Sequence, residues 1–228
     1  MAETRHKTLT SDRQLAAAAV ALSQHCKVMR GIHVRTGTPP LRDFSPDFSG
    51  LAKIVTGQQL SAASAAAIWN RVAAAIDPFE PAALLRMHDA QLAALGLSGA
   101  KIRTLKAIAT AILVDGLDIP ALTKAPDSVV IEKLTALHGI GPWTADIYLL
   151  FALRRADAFA PGDLALQLAV QRHFKLNNRP SPAELEKIAE RWRPWRAAAA
   201  RLLWAEYGMT RQEQRKSKPK STPRKPAK

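Results

Sequence analysis

Residues 129–163, VVIEKLTALHGIGPWTADIYLLFALRRADAFAPGD, read as a short helix, a tight Gly-rich hairpin, a second helix, a loop and then one carboxylate. The hairpin is Leu137-His138-Gly139-Ile140-Gly141-Pro142. Two glycines one residue apart allow the backbone to turn through positive φ and to approach a ligand with no Cβ in the way. Pro142 suits the first position of the following helix, where its missing N–H is no loss. The turn and the free N–H groups of that helix then face one way and form an anion site, most simply for one DNA phosphate. Taken alone, a Gly-x-Gly turn equally fits a plain connector between helices. Asp163, taken alone, reads more readily as an N-cap for a helix over 164–174.

The stretch as a whole resembles the helix-hairpin-helix DNA glycosylase superfamily, with its G-x-G-x-x-T-A core and a later Gly/Pro-rich loop ending in aspartate. Here these are Gly139, Gly141, Thr144, Ala145 and Pro161-Gly162-Asp163. Within the superfamily it is similar to the 3-methyladenine DNA glycosylases of alkylation repair, over roughly Phe48 to Gly208. The resemblance implies an all-α, two-lobed fold with the hairpin motif and a cleft between the lobes. The middle lobe is expected at about 50–155, the second lobe from the N- and C-terminal helices of residues 1–211. Some relatives carry a β-rich domain before the helical core. The 47 residues ahead of Phe48 are too few for it, so the compact form is expected.

The formal charge of +14 favours a polyanionic partner, with nucleic acid ahead of an anionic membrane surface. Residues 212–228 supply seven Lys/Arg against one Glu, and their Lys/Pro/Ser character reads as a disordered basic tail. The remaining +8 belongs to the folded part. No run of about 18 apolar residues exists to span a bilayer, and the N-terminus lacks a secretory h-region. A location on the nucleoid in a bacterium, or in the nucleus of a eukaryote, is expected, with the chain acting as a monomer. One cysteine, Cys26, excludes an internal disulfide and a Cys₄ iron–sulfur cluster. Six histidines without paired spacing predict no zinc site, and no cofactor is expected.

Along the chain, Ser11-x-x-Gln14 predicts a capping box, followed by an apolar stripe of Leu15, Ala19, Leu22, Cys26 and Met29. Residues 31–43 read as a loop, and Ser45-Pro46 as the start of a helix. The alanine-rich helix ending near Ile76 predicts close helix–helix approach. Leu164, Leu168 and Phe174 predict the inner face of the helix after Asp163. The last helix is expected from Pro194 to about Gly208.

A glycosylase cuts the bond from base to deoxyribose through a sugar with oxocarbenium character. A carboxylate beside C1′ stabilises that cation and orients or deprotonates water. Sugar-cleaving enzymes ordinarily add a second carboxylic acid to protonate the leaving group. An N3- or N7-alkylated purine is already cationic and leaves neutral, so one aspartate suffices, and Asp163 is the candidate. The resemblance implies that Gln58, Trp143 and Trp204 line the base pocket and that Gln59 is the minor-groove wedge. It also implies that Gly139, Ile140 and Gly141 hold a DNA phosphate. Trp69, Trp192 and Trp195 read as core. Bifunctional glycosylase/lyases place a Schiff-base lysine where this chain has Trp143, so a monofunctional enzyme acting on alkylated duplex DNA is expected. A non-catalytic DNA-binding module, or a same-fold glycosylase for another damaged base, remains as an alternative.

Overall fold

The computed structural model describes residues 7–42 and 44–217. Twelve α-helices lie among them: α1 Asp12–His25, α2 Lys27–Thr36, α3 Phe48–Gly57, α4 Ala62–Ala75, α5 Pro81–Arg86, α6 Asp89–Ala94, α7 Gly99–Leu113, α8 Asp127–Thr135, α9 Pro142–Ile147, α10 Leu164–His173, α11 Pro182–Ala189 and α12 Arg196–Ser217. No strand occurs among the described residues. One β-bridge, Thr8 with Arg155, ties the N-terminal segment to the chain beyond α9. Helices α3 to α9 pack as one group around α3 and α7, and α1, α2 and α10 pack with α12 as another. The architecture is therefore the expected all-α one.

Most helix starts follow local chemistry. Ser11, Ser61, Ser98 and Ser181 each accept a main-chain N–H of the first turn, satisfying a donor that would otherwise lack a partner. For α3 the cap is Asp47, which accepts from Gly50 N, and not Ser45. A Cβ at Gly50 would sit 1.8 Å from the Ser45 carbonyl oxygen, so the entering chain lies directly on the helix there. Gln14 turns back to Thr10 N instead of closing a box with Ser11.

Several elements depart from the sequence reading. Residues 31–36 are helical, completing α2, because Met29 and Ile32 are buried against the core. The chain breaks at extended Cys26, which is only partly buried, while Leu15, Ala19, Leu22 and Met29 keep one buried stripe across the break. The alanines of α4 are mostly exposed, and only Val72 of that helix is fully buried. Close approach occurs instead in α12, where residues 197–203 are all buried. The inner face of α10 is Leu166, Ala169 and Val170, whereas Leu164 is exposed. Helix α12 continues through 212–217, which were expected to be disordered. Arg35 of α2 holds Glu206 at 2.8 Å and Glu213 at 2.7 Å, pinning the added turns. The expected tail from 218 onward lies outside the described residues.

Candidate active site

The α8–α9 hairpin is built by one strained glycine. Gly139 has φ 78°, and a Cβ there would fall 1.9 Å from Thr104 Oγ1 of α7. Gly141 has φ −99°, an ordinary value, so the expected positive φ holds at the first glycine alone. A Cβ on Gly141 would meet nothing within 4 Å, which leaves its face open to a ligand. Ile140 is buried and its N–H donates to Leu137 O at 3.1 Å, so its main chain is already engaged within the turn. Of the three residues expected at a phosphate, Gly139 packs against Thr104 and Ile140 is buried, and Gly141 alone presents an open face.

Gln58, at the end of α3, turns its amide toward the hairpin. Its Nε2 donates to Thr144 Oγ1 at 2.9 Å and to Gly139 O at 3.4 Å. It ties two loops together and does not line the cavity described next. Gln59 is exposed and has φ 57°, in the left-handed region. Leu60 beside it is 40% exposed and does line the cavity.

That cavity, about 610 Å³, falls within the roughly 300–1,000 Å³ of small-molecule sites. Asp163 is its one carboxylate among the described residues. The aspartate caps α10 through Oδ1, which accepts Leu166 N at 3.1 Å. The same oxygen accepts Trp204 Nε1 at 3.0 Å, and Oδ2 accepts Trp143 Nε1 at 2.9 Å. Both indoles are therefore bound to the carboxylate by their N–H edges. Gln167 Nε2 donates to Pro161 O at 2.9 Å and fixes the Pro161–Asp163 loop from behind.

Four aromatic residues that the sequence reading did not place here, Phe44, Trp69, Phe151 and Tyr207, complete the walls. A π-helical turn over Tyr148–Ala152 follows α9. Phe151 within it stacks on Trp204, with centroids 5.4 Å apart and planes 26° apart. Phe44 stacks on Phe151 at 5.6 Å. Trp69, expected as core, lines the cavity while its ring edge packs on Phe79. No periodic signal marks a π turn, and Phe44 lies in an irregular segment, so only tertiary structure brings them in. Trp192 is fully buried and Trp195 packs against the core, as expected. Tyr148 is fully buried away from the cavity, and burial, with Asp47 second, pushes its phenol pKa up.

Arg42, Lys53, Arg211 and Arg215 also line this cavity. Behind the Pro161–Asp163 loop, Asp146 lies near Pro161, Glu186 and Arg196 in a smaller cavity. Burial first, then Glu186, raises its carboxyl to about 7, against the opposing pull of Arg196. Among the described residues, no three His, Cys, Asp or Glu side chains converge as a metal site, and no helix is long and apolar enough to cross a membrane.

A Gly-rich hairpin between two helices, followed in the chain by an aspartate on the wall of an aromatic cavity, is the arrangement of the helix-hairpin-helix class of DNA-repair folds. The chain belongs to the HhH-GPD superfamily of base excision DNA repair proteins, which matches residues 52–194. It is 33% identical over 163 residues to DNA-3-methyladenine glycosylase 1 of Schizosaccharomyces pombe, covering 69% of this chain and 71% of that protein. The solved 3-methyladenine DNA glycosylase of that yeast, in complex with abasic DNA, superposes with a TM-score of 0.73 at 28% identity. The match covers 82% of this chain and 95% of that one. A Bacillus subtilis homologue is 34% identical over 88 residues, 39% of this chain, so the chain spans about a third (31%) of that relative's length.

Proposed function

We propose that the protein is a monofunctional DNA glycosylase that excises alkylated purines, of the 3-methyladenine and 7-methylguanine type, from duplex DNA. The observation that carries this reading is Asp163, held by two indole N–H groups and its own helix N-terminus on the wall of an aromatic cavity. The names of the relatives support the substrate class. Everting the base costs a few kcal/mol. Aromatic faces return about 1–3 kcal/mol per base by stacking, and a cationic base gains more over an indole. Once the base is seated, the fixed carboxylate stabilises the sugar cation and directs water to C1′. The lack of a second carboxylate among the described cavity residues supports a leaving group that needs no proton.

The cations lining the cavity and the open face of Gly141 support binding of the strand backbone, which positions the duplex without reading its sequence. Trp143 supports hydrolysis without strand cleavage, because an indole cannot form a Schiff base. The experiment is release of methylated bases from alkylated duplex by the wild type and by Asp163→Asn. Binding of duplex without release by the wild type would instead mark a DNA-gripping module.

A further inference from the structure

Three arginines are buried among the described residues: Arg155, Arg196 and Arg201. Arg155 meets Asp127 at 3.3 Å. Arg196 meets Asp157 at 3.1 Å and Glu186 at 2.6 Å. Arg201 follows a different rule. Its Nη1 and Nη2 donate to main-chain oxygens, Ala197 O at 3.1 Å and Leu150 O at 2.7 Å, and its Nε has no acceptor. It is only 5% exposed. A buried charge without a counter-ion is costly, and an unsatisfied buried donor adds to that cost.

The surroundings sharpen the imbalance. Arg201 lies over the Phe151 ring at 4.9 Å, and Arg42 lies over the same ring at 5.2 Å. Burial, then the charges of Arg42 and Arg154, lower the Arg201 pKa to about 10. Both guanidinium groups line a second cavity of about 100 Å³, together with Pro39, Pro40, Phe151 and Trp204. No carboxylate among the described residues lines it. Arg42, Phe151 and Trp204 are shared with the large cavity, so the two adjoin.

We propose that Arg201 and Arg42 form a binding site for a single phosphate-type oxyanion in the small cavity beside Trp204. Its volume equals roughly three waters of about 30 Å³ each, enough for one tetrahedral oxyanion and too little for a nucleotide. Each Nη of Arg201 donates one N–H to a main-chain oxygen and keeps a second, and Arg42 adds its own fork, so an anion between the two groups takes charge-assisted hydrogen bonds from both. The phosphate group has two sources: a phosphodiester of the strand whose base occupies the large cavity, or free inorganic phosphate. The site itself rests on the arginines and not on base release.

The test uses the full chain free of DNA, titrated with inorganic phosphate against sodium chloride at matched ionic strength, read by calorimetry. The wild type should bind phosphate saturably. Arg201→Met and Arg42→Ala should each weaken that binding by about tenfold or more. Arg42 is on the exposed surface, so its replacement carries the test if Arg201→Met fails to fold. Repeating the titration with duplex bearing an abasic analogue separates the sources. Loss of the arginine-dependent binding assigns the site to the strand's phosphodiester, and its persistence assigns it to free phosphate. Absence of saturable phosphate binding, or equal binding by wild type and both variants, overturns the proposal. A failure of base release would leave these measurements untouched.

Discussion

Asp163→Asn is the sharpest probe of the site, because the two carboxylate oxygens carry unequal loads. Oδ1 accepts Leu166 N and Trp204 Nε1, while Oδ2 accepts Trp143 Nε1. An asparagine keeps its oxygen at the doubly occupied position, since the reverse orientation would confront two donors with its amide NH₂. The NH₂ then faces the Trp143 N–H across the former 2.9 Å contact. Two opposed donors with neither satisfied cost about 1–3 kcal/mol. For a chain of this length that lowers Tm by about 2–12 °C. Base release should fall by at least about 100-fold, from loss of the charge that stabilises the sugar cation. Trp143→Phe removes the opposing N–H. In the asparagine background it should therefore restore stability, so that the double variant is less destabilised than the sum of the singles by about 1 kcal/mol or more. Activity should stay lost in the double variant. Thermal melts of the four proteins and single-turnover release from alkylated duplex decide the matter. Additive stabilities would refute the Trp143–Asp163 bond, and near-wild-type release by folded Asp163→Asn would refute the catalytic assignment.

The product strand should stay full length until treated with hot alkali, and borohydride should trap no covalent adduct. Lys53 lines the cavity, so an adduct that disappears in Lys53→Ala would identify it as a nucleophile and end the monofunctional reading. Gly141→Val occupies extended backbone with open space around it, so it should fold normally yet weaken damaged and undamaged duplex alike; Gly139→Ala meets both positive φ and Thr104 and should lower Tm. If Gly141→Val binds both duplexes as the wild type does, the hairpin does not grip the backbone. The Asp146 carboxyl titrates at about 7 in the folded chain, above the unfolded value of about 4. The folded state thus holds the extra proton, and stability from this group falls as pH rises between those values. Asp146→Asn should flatten the decline of Tm across that window, and parallel Tm curves for the two proteins would contradict the assignment. Truncation after Ser217 removes Lys218, Lys220, Arg224, Lys225 and Lys228. It should flatten the slope of log affinity against log salt and spare release at saturating enzyme, whereas loss of release would place these residues at the site.

The parts of the site legible in the sequence are those set by neighbours in the chain. The hairpin follows from Gly139 and Pro142, and the Asp163 N-cap from the Pro-Gly loop before it. The bonds that organise the site were not legible, because Asp163 is 20 and 41 residues from its two indole partners. Composition marked 212–217 as tail, but they continue α12, and Glu213 among them pairs with Arg35 of α2, a contact between distant elements that local composition does not show. Gln58 shows the same limit: its position beside the pocket was readable, its amide's choice of Thr144 over the cavity was not. The indole bonds also change what the tryptophans mean. Read as stacking walls, Trp143 and Trp204 would be separable from the Asp163 carboxylate. Bound to it through their N–H edges, with Trp204 stacked on Phe151, they fix its orientation as well as shaping the cavity. Any substitution that tilts either ring must then also move Asp163. On the proposed function, recognition and chemistry would share the same hydrogen bonds, so a variant altered in one cannot be assigned to it without measuring the other.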